Sequence, residues 1–404
     1  MARLNKKQLE KLKKKHKVNK IWSFSKVSKF KNCSYSYFLR YIKGIAELED
    51  GIYAILGGNF HDILEDFYDG KIKKEDVVDD WELFKFNVQM AELKFNKSDE
   101  DFNEKIAEKY YSCLDHYAKN FEPIDGKVAT EKVVVIKVGK FLFVGYIDAV
   151  HYEKDIDIYN LKGKELLFTP DSSYKKDGKY YITDFKTSTI YTGKKILKEG
   201  VQLLLYSYGL NQAGIPLENI VARWDFMKYL SVTFQQANGK YKTMNCARNV
   251  WVAKMMNQIR RDMKKKTDLS DEDIELMLAE SVDENSIDNL PKEIQDLYEI
   301  TNCYVEVPIN QEEIDMLIKE LEELILDISQ KTAEYEKSGD ESIWYRKVEK
   351  EDSYFCSNLC GYTANECPCY AEFLDNLEMK KADKQDEFTS KDSDTSWMEE
   401  LGLK

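Results

Sequence analysis

The stretch YYITDFKTS, residues 180–188, decides how the fold is assigned. Tyr180, Tyr181 and Ile182 favour a β-strand. Asp184 and Lys186 follow two residues apart, so on a strand their side chains point to the same face of the sheet. A carboxylate and an ammonium in that position form either an ion pair or part of a metal-dependent site, and the rest of the chain is needed to choose between these interpretations.

The segments around this strand predict a mixed α/β core. Residues 130–138 (TEKVVVIKV) and 141–150 (FLFVGYIDAV) are separated by a Gly-Lys turn and predict a β-hairpin. Beyond the central strand, residues 200–214 (GVQLLLYSYGLNQAG) predict a helix, and residues 219–230 (NIVARWDFMKYL) predict a further strand. The polar segment between 151 and 179 predicts an additional β excursion. An order of strand, strand, strand, helix and strand is typical of an α/β sheet flanked by helices.

Helical segments are expected on both sides of this core. Three helices precede it: one from Ser25 or Ser28 through Cys33 to about Tyr41, one that starts near Gly58, and one over residues 99–120. Residues 236–345 are predicted to be mainly helical, with Asn310 as an N-cap. The residues after Asn310 form an apolar stripe at helical spacing: Ile314, Leu317, Ile318, Leu321, Leu324, Ile325 and Ile328.

The two ends of the chain differ in charge. Residues 1–20 contain nine Lys or Arg and one acidic residue, and they form a basic arm that either is solvated or contacts DNA. Residues 376–404 are highly charged, end in DSDTSWMEELGLK, and predict a disordered acidic tail that could dock into a partner protein. We expect one domain between them, with these parts: helical 21–125, catalytic α/β core 126–235, mainly helical 236–345, and cysteine-rich 346–375.

The composition narrows the class of protein. The chain has 404 residues, 43% of them hydrophobic, and a net charge of −13, which argues only weakly against a nucleic-acid partner because binding depends on local patches. No apolar run reaches the length of a membrane span, and the N-terminus lacks the apolar segment of a signal peptide. We therefore expect a cytoplasmic protein, in which disulfides are rare and the eight cysteines need another explanation.

Four of these cysteines lie within fourteen residues. The segment CSNLCGYTANECPC contains Cys356, Cys360 and Cys367, with Cys369 as a spare, and Cys33 lies far upstream. Clustered thiols in a reducing compartment indicate a metal site, holding either zinc or an iron–sulfur cluster. The remaining three cysteines are isolated and are predicted to be inert: Cys113, Cys246 and Cys303.

A second candidate metal site involves Asp148, which ends the apolar strand FVGYID. A single Asp at a strand end is usually a turn residue, and Asp184 with Lys186 is usually a surface pair. If the strands are neighbours, however, two converging carboxylates repel each other unless a cation lies between them. Oxygen ligands of this kind suit Mg²⁺ or Mn²⁺, and an adjacent lysine can position the attacking water or stabilise charge on a phosphate.

Two helical pairs extend this pattern. His61 and Glu65 lie at i and i+4 in GGNFHDILEDF, and Gln202 and Tyr206 have the same spacing in GVQLLLYSYG. Taken alone, each pair is better explained by ordinary packing. Only the motifs considered together distinguish a packing role of these pairs from a functional role.

In chain order these motifs resemble the RecB-like branch of the PD-(D/E)XK nucleases, which includes the nuclease domain of AddB-type helicase-nucleases, the CRISPR-adaptation exonucleases and many phage exonucleases. The resemblance covers about residues 22–230 and 350–370. Its elements are WSFSKVSKFKNCSYSYFLRY, LGGNFHDILEDF, FVGYIDAV, YITDFKTS, GVQLLLYSYGL and CSNLCGYTANECPC. No helicase motif is present, which is typical of a standalone, phage-type enzyme.

The resemblance implies a role for each matching residue. His61, Asp148, Asp184 and the backbone carbonyl of Phe185 would bind the catalytic Mg²⁺ or Mn²⁺. Lys186 would be the catalytic lysine. Gln202 and Tyr206 would line the site and orient the DNA strand, and Glu131 stands where members often carry an acid.

The resemblance further implies a [4Fe-4S] cluster held by Cys33, Cys356, Cys360 and Cys367. Both cysteine spacings are one residue longer than the commonest pattern, which leaves Cys369 as an alternative to Cys367 and zinc as an alternative to iron. The implied function is a DNA exonuclease acting on single strands or duplex ends in replication, recombination, repair or degradation. Two other interpretations are a non-catalytic DNA-binding or assembly subunit and a zinc-binding interaction protein.

Overall fold

A computed structural model of the chain describes residues 4–47, 51–95, 99–153, 167–169, 178–362 and 367–378. The chain divides into two compact units. The first unit consists of Met1–Phe24 and Ile52–Glu323, and the second unit of Ser25–Gly51 and Leu324–Lys404. The single domain expected between 21 and 375 stays a prediction.

The regular elements are as follows. The helices are α1 Lys6–His16, α2 Phe24–Asn32, α3 Ser34–Tyr37, α4 Ile52–Tyr68, α5 Lys74–Met90, α6 Glu100–Asn120, α7 Lys194–Glu199, α8 Val201–Gln212, α9 Trp251–Lys266, α10 Asp271–Glu284, α11 Lys292–Gln295 and α12 Gln311–Ser338. The strands are β1 Ile21–Trp22, β2 Val128–Val138, β3 Phe141–Tyr152, β4 Leu167–Phe168, β5 Tyr180–Lys186, β6 Ile220–Gln235, β7 Tyr241–Ala247 and β8 Tyr298–Val307.

Within the described residues, the strands form one mixed sheet of eight in the order β4-β2-β3-β5-β6-β7, with β1 added beside β3 and β8 beside β6. The hairpin of β2 and β3, the strand β5, the helix α8 and the strand β6 were all predicted from the sequence, and the structure confirms them. The mixed α/β fold class is therefore confirmed.

The register of the central strands brings the motif residues together. Strand β5 is antiparallel to β3, with Ala149 opposite Thr183, so the next pair in register is Asp148 and Asp184. On its other side β5 is parallel to β6, where Lys186 pairs with Phe226. Two carboxylates separated by 36 positions in sequence thus become neighbours through strand pairing.

Helices α4, α5 and α6 form the main hydrophobic core of the first unit against the sheet. Phe60, Trp81 and Leu114 are fully buried there, and the core reaches the sheet at Ala149 and Phe185. Helix α6 starts at its predicted position, because the Asp99 side chain accepts a hydrogen bond from the Phe102 N–H and caps it. Helix α4 begins at Ile52, six residues before the predicted start near Gly58.

The predicted helix from Ser25 to Tyr41 is wrong as a continuous element. Helix α2 ends at Asn32, and Cys33 adopts an extended backbone with φ −156° and ψ 104°. Its Sγ accepts a hydrogen bond from the Ser36 N–H (3.4 Å) and so caps α3. The helix is therefore interrupted at Cys33, and the hydrogen bond from Ser36 fixes the direction of its thiol.

Residues 236–345 contain more strand than was predicted. Helices α9 to α12 are present, but β7 and β8 also fall in this segment and both pair with β6. Asn310 does cap α12, since its side chain accepts from the Glu313 N–H (2.8 Å). Most of the predicted apolar stripe is buried: Ile314, Leu317, Leu321, Ile325 and Ile328.

The basic arm is part of the fold over its described residues, 4–20. Leu4 and Leu12 are buried in one cluster with Val133, Val135 and Val144 of the β-hairpin. The Leu4 N–H donates to the Tyr146 hydroxyl (2.9 Å). The interpretation as a purely solvated terminus is wrong for these residues, because the lysines of α1 are carried by a helix with a buried face.

We expect Leu12→Ala to lower the free energy of unfolding by about 2–3 kcal/mol, the low end for a buried leucine. Replacing Lys13, Lys14 and Lys15 together by Gln should change stability little, since the Lys13–Glu10 pair (2.8 Å) lies at the surface, while the loss of three positive charges should weaken DNA binding. Chemical denaturation and DNA titrations of both variants separate the two roles of the arm. Unchanged stability of Leu12→Ala would contradict the packing role.

The second unit is built around aromatic side chains. Trp344 is fully buried and stacks on Tyr37 (5.9 Å between ring centroids) and on Phe38 (5.5 Å). The Ser34 hydroxyl donates to the Trp344 carbonyl (2.7 Å). These contacts join the residues around Cys33 to the residues that lead into the cysteine-rich segment.

Some predictions fall outside the described residues. Most of the β excursion between 151 and 179 and the acidic tail from residue 379 onward belong to this group, apart from the short strand β4, which pairs with β2. The docking role of the tail therefore stays a prediction. In the described part of the chain, no helix has the length and apolar character that crossing a membrane requires.

Candidate active site

Helix α4 places His61 over the central strand. Its Nε2 lies 2.7 Å from the Phe185 carbonyl oxygen. The other ring nitrogen, Nδ1, lies 3.4 Å from Asp148 Oδ2. The imidazole of His61 therefore contacts both the backbone of β5 and one of the two carboxylates.

Strand β5 contributes the remaining charged groups. Lys186 Nζ lies 2.6 Å from Asp184 Oδ2, and the Phe185 N–H donates to Asp148 Oδ2 (3.1 Å). The Asp184 side chain is only 9% exposed, and the Lys186 ammonium is the charged partner of its Oδ2.

The charges of the site influence each other strongly. Burial raises the pKa of Asp148, and the facing carboxylate of Asp184 raises it further, although His61 and Lys186 oppose both effects. Burial would by itself lower the pKa of Lys186, but the carboxylates of Asp184 and Asp148 outweigh it and raise that pKa. Lys186 is therefore a cation at neutral pH, held between two carboxylates.

Helix α8 contributes two polar side chains next to the carboxylates. The Gln202 side-chain amide donates to the Tyr206 hydroxyl (2.9 Å), and the Tyr206 ring lies against Gly145 of β3. A Cβ at position 145 would come within 2.4 Å of this ring, so only glycine permits the contact. The hydroxyl interacts electrostatically with Asp148 and Asp184, so the structure brings the predicted pair on α8 close to the two carboxylates, and its role stays a prediction.

Glu131 lies in β2 beside Asp148. Ladder pairs Thr130–Ala149 and Lys132–Ile147 bracket the two residues, so Glu131 stands opposite Asp148. Its backbone has φ +48°, a conformation that is rare for a residue other than glycine and that is often found at functional sites. The position of Glu131 therefore agrees with that of the acid which the resemblance implies, and its role in the site stays a prediction.

The donor set fits a divalent metal. Two carboxylates, one imidazole and one backbone carbonyl are ligand types that Mg²⁺ and Mn²⁺ accept. Across the described ranges, no three His, Cys, Asp or Glu side chains converge closely enough to enclose an ion. The roles of His61, Asp148, Asp184 and the Phe185 carbonyl as metal ligands therefore stay a prediction.

The predicted cluster ligands lie together in the second unit. The Cys33 thiol interacts electrostatically with those of Cys356, Cys360 and Cys367, and all four are partly buried. The Cys369 thiol is only 3% exposed, and its sulfur accepts a hydrogen bond from the Arg346 N–H (3.4 Å). Thiols are the donors of iron–sulfur and zinc sites, and the cations Arg346 and Lys29 act on this group. Within the described residues no three of these thiols converge closely enough to enclose an ion, so the cluster stays a prediction.

The other three cysteines lie apart from this group in hydrophobic surroundings. Cys113, Cys246 and Cys303 are buried, and burial raises the pKa of each thiol, that of Cys303 to about 12. A buried, protonated thiol is a poor nucleophile and a poor metal ligand. Their predicted inertness agrees with this environment.

Sequence reasoning missed Tyr191, which interacts electrostatically with Lys186. Its hydroxyl lies 3.2 Å from the Ser188 hydroxyl, and its ring packs edge-on against Trp224 and Phe226 (5.0 Å to each centroid). The sequence contained no motif for it, because a single tyrosine after a strand is common. Only the position of β6 beside β5 brings this ring to the site.

The chain matches the model of the PD-(D/E)XK nuclease superfamily over residues 21–363 and therefore belongs to this superfamily. The match begins at β1 and includes each candidate residue of the active site. No curated protein and no solved structure matches the chain significantly. Membership implies a nuclease that depends on a divalent metal such as Mg²⁺ or Mn²⁺ and acts on DNA.

Proposed function

We propose that this protein is a DNA exonuclease of the RecB-like branch of the superfamily, in which Mg²⁺ or Mn²⁺ is bound by His61, Asp148, Asp184 and the Phe185 carbonyl. The single observation that carries the proposal is the contact of His61 with both the Phe185 carbonyl and Asp148. A helix residue 124 positions from β5 reaches the carbonyl between the two motif residues. Ordinary helix packing does not require an imidazole there.

The residues around the metal have distinct tasks. The bound metal would activate a water molecule and neutralise charge on the scissile phosphate. Lys186 keeps its proton because of the adjacent carboxylates, so it suits stabilisation of negative charge on the phosphate better than removal of a proton. Tyr206 and Gln202 present polar groups beside the carboxylates and would orient the DNA strand.

Cleavage of end-labelled DNA in Mg²⁺, in Mn²⁺ and in EDTA tests the proposal. We expect products that shorten progressively from an end, and no products in EDTA. Covalently closed circles of the same sequence serve as the control, since an exonuclease needs an end. Cleavage of circles would assign an endonuclease, and the absence of any cleavage would favour a non-catalytic DNA-binding subunit.

We further propose that Cys33, Cys356, Cys360 and Cys367 hold a structural [4Fe-4S] cluster. The proposal is supported by the partial burial of these four thiols and by the electrostatic interaction of Cys33 with the other three. Protein purified without oxygen should contain iron and acid-labile sulfide and show the visible absorption of such a cluster. A stoichiometric zinc content without iron would instead assign a zinc site.

We expect His61→Ala to weaken metal binding and to lower the preference for Mn²⁺ relative to Mg²⁺, because the imidazole nitrogen is the softest ligand of the set. The measurement is the cleavage rate as a function of each metal concentration. His151→Ala is the matched control, since His151 lies on β3 three residues from Asp148 and stacks on Tyr181 instead. If His61→Ala and wild type show the same metal dependence, His61 is a packing residue.

A further inference from the structure

Two lysine–tyrosine pairs lie near the end of β5 that carries Lys186. Lys228 Nζ lies 4.7 Å from the centroid of the Tyr110 ring, and Lys195 Nζ lies 4.7 Å from the centroid of the Tyr191 ring. Neither lysine forms an ion pair with any residue that the structure describes. Both ammonium groups are therefore held by an aromatic face, with no carboxylate to neutralise them.

Contacts connect both pairs to the active site. Thr187, the residue that follows Lys186, lies beside the Tyr110 hydroxyl, and Tyr191 interacts electrostatically with Lys186 itself. Lys228 lies on β6 two residues beyond Phe226, the strand partner of Lys186. From strand geometry this offset is on the order of 8 Å between α-carbons, which is close enough to serve the same substrate strand.

Lys228 is a half-buried cation without an acidic partner among the described residues. Burial, with a contribution from the nearby Lys109, lowers the pKa of Lys228 to about 8, against the effect of Cys113. A half-buried ammonium without an acidic partner is unfavourable for the free protein, whereas a phosphate at this position would compensate it. Lys195 is exposed and needs no such compensation, but it extends the positive region along α7.

We propose that Lys228 over Tyr110 and Lys195 over Tyr191 form a two-point phosphate clamp, which grips the DNA backbone on phosphates adjacent to the one at Lys186. The clamp rests on the proposed DNA-cleaving function of the site. Its ligand is the phosphodiester backbone, so it contributes affinity and register without sequence preference. Because these cations lie outside the metal donor set, the clamp acts in binding and not in the chemical step.

DNA affinity in EDTA tests the clamp without cleavage. Lys228→Met keeps the aliphatic stem on Tyr110 and removes only the charge, and Lys195→Met does the same on Tyr191. We expect each to weaken binding about five- to tenfold near 0.1 M salt and to lower the salt slope by about one, and the double variant to lower it by about two. Lys228→Arg should restore binding, and Lys240→Met, which removes an exposed lysine at the β6–β7 turn, should have no effect.

Kinetics and stability distinguish the clamp from a structural role. With metal present, the Met variants should raise KM and leave kcat unchanged. The melting temperature of Lys228→Met should equal or exceed that of the wild type, because an unpaired, half-buried charge is removed, and that of Lys195→Met should equal it, because Lys195 is exposed. A purely structural Lys228 predicts wild-type DNA affinity for Lys228→Met, and that result would overturn the clamp.

The clamp and the nuclease proposal fail in different ways. If the wild type binds DNA through these lysines but does not cleave it in any metal, the clamp stands and the nuclease proposal fails. If the wild type cleaves DNA and both Met variants bind like it, the clamp fails and the nuclease proposal stands. A wild type that does not bind DNA in EDTA would also overturn the clamp, since its contacts do not need the metal.

Discussion

DNA cleavage should fall by roughly 10² or more in Asp184→Ala and in Lys186→Ala, the scale for groups that act on transition-state charge. Asp184 is a buried carboxylate facing Asp148, so its removal deletes half of the carboxylate donors. Lys186 is the cation 2.6 Å from that carboxylate, so its removal leaves charge on the phosphate unopposed. Single-turnover rates at saturating Mg²⁺ or Mn²⁺ provide the measurement.

A matched control exists in the same unit. Asp115 on α6 accepts hydrogen bonds from Lys85 Nζ (2.8 Å) and from Trp81 Nε1 (2.7 Å), away from the metal donor set. Asp115→Ala therefore breaks another partly buried aspartate–lysine pair, while Lys85 keeps Glu82 as a partner. It should retain cleavage. If Asp184→Ala or Lys186→Ala is folded, binds DNA and cleaves at the wild-type rate, the assignment of the active site is wrong.

Cys33→Ser should destabilise the second unit severely, by more than about 4 kcal/mol, because losses of that size accompany the removal of a structural metal group. Cys33 lies more than three hundred positions before Cys360, so a shared cluster ties the first helices of this unit to its cysteine-rich segment. Iron content and thermal unfolding, measured under exclusion of oxygen, test this expectation. The protein should lose most of its iron and aggregate on heating at a lower temperature.

Cys113→Ser is the control for that experiment. Cys113 is equally a lone cysteine in a helical region, but its thiol donates to Asn249 Oδ1 (3.3 Å), a hydrogen bond that a serine hydroxyl can replace. This variant should keep its iron and change its stability little. Equal iron content in the two variants would remove Cys33 from the ligand set, and loss of zinc in place of iron from Cys33→Ser would identify a zinc site.

The sequence alone determined the centre of the sheet. The segments of β2, β3 and β5 are apolar and flanked by turn residues, and this local pattern predicts strands whatever the rest of the chain does. The starts of α6 and α12 were also predictable, because Asp99 and Asn310 cap the helices that directly follow them. Each of these features depends on interactions within a few residues.

Other elements could not be predicted because their stability comes from distant partners. Strands β7 (YKTMNCA) and β8 (YEITNCYVEV) are rich in polar residues, and they extend because β6 supplies their hydrogen bonds. Helix α1 has a largely basic sequence, and only the hairpin beneath it shows that Leu4 and Leu12 belong to a core. The interruption of the helix at Cys33 likewise depends on the hydrogen bond from the Ser36 N–H to the Cys33 thiol and on the aromatic packing around Trp344.

Some features of the candidate site were likewise evident from the sequence, and others were decided only by the tertiary structure. Its residue types and their spacing along β3, β5 and α8 were evident from the sequence, because side-chain direction on a strand or helix repeats with a fixed period. Tertiary structure alone decided that Asp148 faces Asp184, that His61 reaches the Phe185 carbonyl, and that Gly145 makes room for Tyr206. It also placed Tyr191 beside Lys186, with the Lys195 ammonium over the Tyr191 ring. Such contacts join segments tens to more than a hundred residues apart, and their geometry follows from sheet register and helix packing, which no local sequence pattern encodes.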